Sequence, residues 1–257
     1  MRGNRRSLGN AERLPLALLV SLGALAGLAF IFLKLWSEIA EGETHAFDEA
    51  FLLALRVPGH PDTAIGPHWL PQIMIDLTSL GSGTFHVIIM VVVAGFLIVK
   101  GARRKAILLL AAISSGRLAV ILLKDIFDRP RPELVDHLVQ VQSLSFPSGH
   151  AANSAIVYLT MGILLTRVEE GRWVRAYIMI SAIALTLAVG LSRLYLGVHW
   201  PSDVAAGWAF GAAWAIAWGI ADFLVPGRER PERGDAVEGD PRLSSSPHSG
   251  RKSGTER

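Results

Sequence analysis

The sequence predicts an all-α fold, a bundle of six transmembrane helices with an active site at the extracytoplasmic membrane interface. Of its 257 residues 51% are hydrophobic, long apolar runs alternate with polar loops, and several of the runs end in charged residues. A soluble core does not need so many runs close to the about 20 residues that a helix needs to cross a bilayer. The six segments are residues 14–36, 84–99, 105–124, 151–166, 175–192 and 203–224.

The composition divides the chain into a membrane domain and a tail. Residues 1–225 are interpreted as one integral membrane domain, whereas residues 226–257 are rich in Arg, Glu, Ser, Pro and Gly, which is typical of disorder. The first apolar segment has a basic start and the triplet Ala-Leu-Ala at 24–26, so it has features of a cleaved signal peptide. Because its apolar run continues to Trp36, we expect it to be retained as an anchor.

Basic residues in the short loops predict the orientation. If all six segments span, the basic N-terminus and the basic loops at 100–105 and 167–175 lie on one side, which the rule places in the cytoplasm. The long first loop is acidic, with Arg56 as its only Lys or Arg, and is expected outside. We therefore expect both termini and the tail in the cytoplasm, and an active site on the outer side of the membrane. The rule does not name the compartment, and the expectation of a bacterial inner membrane with the site facing the periplasm does not rest on it.

Composition also excludes several classes of function. The net charge of +3 is small, so it does not indicate a nucleic-acid partner. The chain has no cysteine, which excludes disulfides, thiolate chemistry and Cys-based zinc sites. The partner that the composition indicates is the lipid bilayer, and the sequence indicates no protein partner.

The first chemical cluster is KDIFDRPRP at 124–132, where the third apolar segment ends. Pro130 and Pro132 cannot continue a helix, so the chain turns there and can bring Arg131 back towards Lys124. An ammonium and a guanidinium together suit a tetrahedral phosphate. Taken alone, the two cations would be more typical of interfacial anchors that extend to the membrane surface, which are common at helix ends.

The second cluster is FPSGHAANS at 146–154, directly before the fourth segment. Ser148 is expected to be the N-cap of a helix, with Gly149 and His150 in its first turn. The free N–H groups of a helix start form an anion site, and Gly149 allows close approach. His150 would lie beside the anion, placed for proton transfer. The alternative is a capped helix with an incidental histidine.

The third cluster is SRLYLGVHWPSD at 192–203. Pro201 suits the first position of the sixth helix, which leaves Asp203 in its first turn. Asp203 can reach back to one nitrogen of His199 and leave the other free as a nucleophile. A structural hydrogen bond is the alternative for such a pair, but Arg193 adds a third cation.

All three clusters fall where segments meet the predicted outer surface. Two histidines, one carboxylate, three cations and a helix start form a site for phosphoryl transfer through a covalent intermediate. No carboxylate cluster indicates Mg²⁺ or Ca²⁺, so the cations are expected to neutralise the phosphate without a metal or other cofactor.

The three motifs resemble the signature of the type-2 phosphatidic acid phosphatase superfamily, in its bacterial membrane-bound branch. This superfamily includes bacterial lipid phosphatases, glucose-6-phosphatase and vanadium haloperoxidases. The resemblance covers Lys124-x6-Arg131-Pro132, Pro147-Ser148-Gly149-His150 and Ser192-Arg193-x5-His199-x3-Asp203, which lie within residues 124–203. It adds nothing on the first 80 residues beyond general topology.

The resemblance implies a role for each matching residue. His199 would attack phosphorus and form a phosphohistidine, with Asp203 orienting it. His150 would protonate the leaving oxygen and later activate water. The phosphate oxygens would be held by Lys124, Arg131, Arg193, Ser148 and Gly149. The resemblance implies no metal ligands in this chain.

Other residues lie outside the signature. Arg117 is seven residues before Lys124 on nearly the same helix face. A mid-membrane arginine should face the bundle interior, and a structural polar contact is expected there in preference to a substrate role. Asp125 and Asp128 are expected as local partners of the cations.

The segment 45–56 of the first loop is expected to form a short helix with Phe47, Phe51, Leu52 and Leu55 on one face. It would either cap the bundle or lie in the membrane interface near a lipid access path.

The leading interpretation is a metal-independent phosphatase of lipid phosphomonoesters or pyrophosphates. Candidate substrates are phosphatidate, phosphatidylglycerol phosphate, a polyprenyl pyrophosphate and a lipid A phosphate.

A phosphotransferase with the same intermediate stays open. A non-catalytic transporter of anionic lipids would need the cations but not His199, His150 and Asp203. A serine hydrolase built on Ser148 and His150 fails, because residues two apart in a helix do not face each other. Nothing else in the chain indicates a haloperoxidase.

Overall fold

A computed structural model describes residues 5–141 and 143–225, with side chains from residue 16 onward. The predicted tail at 226–257 lies outside the described residues. Most of the described chain is helical, as predicted. The helices are α1 (Arg5–Glu41), α2 (His45–Ala54), α3 (Leu70–Ser79), α4 (Gly83–Val99), α5 (Arg103–Phe127), α6 (Gly149–Ser154), α7 (Thr160–Thr166), α8 (Arg172–Tyr195) and α9 (Pro201–Leu224).

The described chain is a multi-pass membrane protein. Four of its helices are long and apolar enough to cross a membrane: residues 16–41 of α1, and all of α5, α8 and α9. α3 and α4 meet at a bend of 53° and together can form a fifth span. The count of six stays a prediction. The predicted segments at 84–99 and 151–166 fall short, since α4 has 17 residues and the other segment is divided by a π-helical turn at Ala155–Leu159.

The chain from Gly149 to Thr166 forms the centre of the bundle. α6, the π-helical turn and α7 follow one another without a break, and α5, α8 and α9 pack around them. Ala152, Ile156 and Val157 have no exposed surface. This segment is therefore apolar because it is enclosed by other helices.

Two glycines bring α9 directly against the backbone of α6. A Cβ atom added at Gly211 would lie 2.5 Å from the Ala152 carbonyl oxygen, and one added at Gly207 would lie 2.9 Å from the Ser148 carbonyl oxygen. This four-residue glycine spacing is a common device for close helix contact in membranes. It holds the first turn of α9, which contains Asp203, beside the start of α6.

The outer loop contains a β-hairpin that the all-α prediction missed. Strands β1 (Arg56–Val57) and β2 (His60–Ala64) pair antiparallel, and they are too short to give a clear sequence pattern. Arg56 is buried and donates to the Tyr195 carbonyl oxygen at 3.1 Å. Gly197 has φ of +75°, and a Cβ there would lie 2.5 Å from Arg56 Nη2. The hairpin is thus fixed to the turn that follows α8.

The helix predicted in the first loop is present as α2, and of the four residues expected on one face only Leu52 is buried. α2 buries Leu52 completely, but Phe47 is 63% exposed and Phe51 is 37% exposed. The residue that shares the buried face with Leu52 is Asp48, one turn earlier, because its carboxylate binds the start of α9. α2 therefore contacts the bundle through Asp48 and Leu52 and presents two phenylalanines outward.

The contact between α9 and α6 gives a stability prediction. Gly211→Ala should lower the free energy of unfolding by about 1–3 kcal/mol, because the added methyl group overlaps backbone atoms. Gly95→Ala in α4 is the matched control: a Cβ at Gly95 meets nothing within 4 Å, so this change should be neutral or stabilising by up to about 1 kcal/mol. The measurement is thermal unfolding in detergent, and equal transition temperatures for the two variants would contradict the packing described.

Candidate active site

Six of the eight predicted site residues line one cavity of about 230 Å³. Among the described residues, the cavity wall holds three cationic side chains, two imidazoles and no carboxylate, so it is suited to an anion. Gln140, Val141 and Ser143 from the segment between α5 and α6 complete the wall. The six residues are Lys124, Arg131, Gly149, His150, Arg193 and His199.

The other two predicted residues, Ser148 and Asp203, are fully buried and outside that wall. Ser148 is the N-cap of α6, as predicted, and its hydroxyl accepts from the Ala151 N–H at 3.5 Å. Asp203 lies in the first turn of α9 and accepts from the Trp200 N–H at 3.0 Å. The Ser148 N–H donates to the Asp203 carbonyl oxygen at 3.1 Å, which joins the second and third motifs.

The start of α6 and the end of α5 meet at one side of the cavity. A Cβ added at Gly149 would lie 3.3 Å from Lys124 Cε, so a glycine lets the lysine side chain pass close to the helix start. Lys124 Nζ donates to the Leu144 carbonyl oxygen. An ammonium group and the positive end of a helix therefore face the same space.

The two arginines of the cavity are held by different parts of the chain. Arg131 donates through Nε to the Ser143 carbonyl oxygen at 2.7 Å, and its Nη1 lies 3.2 Å from His199 Nε2. Arg193 donates through Nη1 to Thr78 Oγ1 in α3 at 2.9 Å. Thr78 was not found by sequence analysis, because it lies outside every recognisable motif.

His199 lies in the loop between α8 and α9 and is 1% exposed. The predicted direct hydrogen bond to Asp203 is not formed, since Nδ1 lies 3.6 Å from Oδ2. Ser145 stands between them: its hydroxyl donates to Asp203 Oδ2 and lies 3.4 Å from His199 Nδ1. Nδ1 thus faces Ser145 and Asp203, which leaves Nε2 on the side of Arg131.

Burial, together with the nearby charges of Arg131 and Arg193, holds the pKa of His199 well below its usual range. The ring is therefore neutral near pH 7. A neutral imidazole has a free lone pair on one nitrogen, which a nucleophile requires.

A second layer of charge lies behind His199. Arg129 donates to Asp203 Oδ1 at 2.6 Å and to Asp48 Oδ2 at 2.9 Å. Both carboxylates are completely buried. Ser202 adds its N–H to Asp48 Oδ1 at 2.9 Å, and its hydroxyl donates to Asp48 Oδ2. We call Asp48, Arg129, Ser202 and Asp203 the carboxylate network.

Of this network, sequence analysis predicted only Asp203. It assigned Asp125 and Asp128 as partners of the cations, but neither forms a salt bridge in the part of the chain that the structure describes. Arg129 could have been noticed because it precedes Arg131 in the run Arg-Pro-Arg-Pro. Asp48 carries no such signal, since it lies 81 residues before Arg129.

Arg117 is not part of the cavity. The expected structural polar contact is also absent: within the described residues its side chain makes neither a hydrogen bond nor a salt bridge. It lines a separate cavity between α4 and α5.

Comparison with known proteins assigns this chain to a family. The PAP2 superfamily profile matches residues 104–222, which include all three motifs. Phosphatidylglycerophosphatase B of Bacillus subtilis is 31% identical over 187 residues, which are 72% of this chain and 87% of that protein. The chain belongs to the PAP2 superfamily. The resemblance seen in the motifs is thereby confirmed.

PAP2 proteins of known structure and function share this fold. The crystal structure of a transmembrane PAP2 type phosphatidylglycerolphosphate phosphatase from Bacillus subtilis superimposes with a TM-score of 0.72 at 28% identity, and covers 80% of this chain and 98% of that one. A lipid A 1-phosphatase of Rhizobium johnstonii is 30% identical over 145 residues, covering 48% of this chain and 54% of the relative. These PAP2 relatives are named for different lipid phosphates.

The carboxylate network gives a stability prediction for this PAP2 protein. Arg129→Gln leaves Asp48 and Asp203 buried without their cation, which should cost about 3–5 kcal/mol of unfolding free energy. Lys34→Gln is the control, because it removes an exposed pair with Glu38 that is worth at most about 1 kcal/mol. Thermal unfolding in detergent compares the two variants. An Arg129→Gln protein as stable as the control would contradict the role given to Arg129.

Proposed function

We propose that this PAP2 protein is a lipid phosphatase that removes a terminal phosphate from a membrane lipid through a phosphohistidine at His199. The lipid phosphatase class follows from the family and from relatives named as phosphatases of lipid phosphates. The single observation that carries the proposed mechanism is the neutral, buried His199 at the edge of a cavity with three cations and no carboxylate.

The cations hold the phosphate for attack. Lys124, Arg131 and Arg193 would bind its oxygens and neutralise the charge that spreads over them in the transition state. Ser148 and Gly149, at the start of α6, would add the positive helix end. No metal is required in this scheme, because the protein itself supplies the positive charge.

The reaction has two steps. His199 Nε2 attacks phosphorus, a P–N bond forms, and the bond from phosphorus to the lipid oxygen breaks. His150, which lines the same cavity, takes up a proton when the phosphate dianion binds beside it and donates this proton to the leaving lipid oxygen. In the second step His150 accepts a proton from water, the water oxygen attacks phosphorus, and the P–N bond breaks to release phosphate and neutral His199.

Asp203 acts on the other side of the ring. When the P–N bond forms, the imidazole gains positive charge, which the buried carboxylate of Asp203 stabilises from a distance of 3.6 Å. Ser145 connects the two groups, so it fixes the ring orientation that points Nε2 at the phosphate.

The substrate is proposed to be a lipid at the outer surface of a bacterial inner membrane. The three motifs lie at the ends of α5 and α8 and at the starts of α6 and α9, whereas the basic loops at 100–105 and 167–175 lie at the opposite ends of these helices. With α3–α4 as one span and residues 149–166 as another, six spans would place both termini in the cytoplasm. The candidate headgroups are those named from the sequence.

The proposal predicts phosphate release from a lipid phosphate without added metal. The protein in detergent is given phosphatidate, phosphatidylglycerol phosphate, undecaprenyl pyrophosphate and lipid A, and inorganic phosphate is measured. EDTA should leave the rate unchanged, and vanadate should inhibit because it resembles phosphate. His199→Asn should lower kcat by about a thousandfold or more.

His60→Asn is the matched control, because His60 is exposed on β2 and its loss should not change the rate. Release that depends on added divalent metal, or that survives the loss of His199, would contradict the mechanism. An arm with added glycerol distinguishes hydrolysis from transfer: glycerol phosphate would identify a phosphotransferase.

A further inference from the structure

A second cavity, of about 340 Å³, lies between α4 and α5. Its wall is mostly apolar, and Val87, Leu118 and Ile121 are each more than half exposed on the outer surface of the helices. In a bilayer that surface faces lipid, so the cavity is open to acyl chains. Two basic side chains, His86 and Arg117, interrupt the apolar wall.

His86 is buried without a polar partner. It is 1% exposed, and neither ring nitrogen has a hydrogen-bond partner among the described residues. Its ring packs edge-on against Tyr158, with the centroids 5.7 Å apart. A buried polar group without a hydrogen bond is costly and rare, so a polar group bound in the cavity would complete the contacts of His86.

Arg117 likewise lacks a charged partner among the described residues. No carboxylate lies within salt-bridge distance of it in the described ranges, although it lies near the middle of a helix long enough to span the membrane. A positive charge at that depth is expensive and faces a partner or a water-filled site. An anion bound in the α4–α5 cavity would supply that partner.

The turn between α3 and α4 lies close to both His150 of the candidate active site and Arg117 of this cavity. A Cβ added at Gly81 would lie 2.9 Å from His150 Cδ2, and one added at Gly83 would lie 3.1 Å from Arg117 Nη2. Two glycines in one turn therefore touch the proposed acid and Arg117 directly. Along α5, Arg117 and Lys124 are seven residues apart, which is about 10 Å.

We propose that the α4–α5 cavity binds a second anionic group of the lipid substrate, with His86 and Arg117 as its ligands. The inference rests on the proposed function. The spacing suits a phosphodiester joined to the reacting phosphate through a short polyol, as in phosphatidylglycerol phosphate. It does not suit a pyrophosphate, whose two phosphorus atoms share one oxygen. The acyl chains would leave along the apolar wall.

The test compares a lipid that carries a second anionic group with a lipid that does not. Phosphatidylglycerol phosphate carries a phosphodiester in addition to its phosphomonoester, and phosphatidate carries only the phosphomonoester. Arg117→Gln should lower kcat/KM for phosphatidylglycerol phosphate about tenfold, mainly through KM, since it removes a charged hydrogen bond. It should leave phosphatidate unchanged, and Arg117→Lys should lose less than Arg117→Gln.

Arg175→Gln, at an exposed arginine of α8, is the matched control and should change neither substrate. If Arg117→Gln does not fold, His86→Gln serves instead, with a selective loss for phosphatidylglycerol phosphate. Equal losses on both lipids would show a general structural role and overturn the subsite, as would no loss on either.

Failure of the proposed function has a different signature, namely no phosphate release from either lipid by the unaltered protein. The subsite is then decided by equilibrium binding to detergent micelles that contain phosphatidylglycerol phosphate or phosphatidate. If Arg117→Gln weakens binding to phosphatidylglycerol phosphate but not to phosphatidate, the subsite is supported. If Arg117→Gln changes binding to neither lipid, the subsite is overturned.

Discussion

The pairing of Arg129 with two buried carboxylates is the interaction on which the site depends. Asp48 and Asp203 come from the first loop and from α9, and Arg129 follows the end of α5. One guanidinium against two carboxylates leaves a formal charge of −1 behind His199, while three cations line the cavity in front of it. In the proposed mechanism the cationic side would bind phosphate, and the anionic side would stabilise the positive charge that the ring acquires when it is phosphorylated.

The fold brings these two sides together through backbone contact. Gly207 and Gly211 let α9 approach α6 until the Ser148 N–H bonds to the Asp203 carbonyl oxygen. The helix start that faces the phosphate and the carboxylate that faces His199 are thereby fixed to each other. Gly197 plays a comparable part after α8, where only a residue without Cβ leaves room for Arg56. Small residues at three points thus fix the positions of charged groups.

Sequence analysis recovered what local patterns encode. The spacing within each motif was sufficient to predict the six cavity residues, because each motif occupies a helix end whose position hydropathy defines. Asp48 and Ser145 could not be found in this way, since their partners are distant in sequence or their type is common in loops. Hydropathy alone also does not determine the number of spans. Residues 149–166 are enclosed by other helices, and a buried helix has the same apolar composition as one that faces lipid.

The central claim is that His199 carries the phosphoryl group during turnover. The direct measurement is a rapid alkaline quench of the protein during hydrolysis of a lipid labelled with ³²P in its terminal phosphate, followed by digestion and mass spectrometry of the labelled peptide. Alkaline conditions are chosen because phosphohistidine is labile to acid. The account predicts label on His199 that chases into inorganic phosphate when unlabelled lipid is added, and none in His199→Asn. Label on another residue, or steady turnover with no labelled histidine, would contradict it.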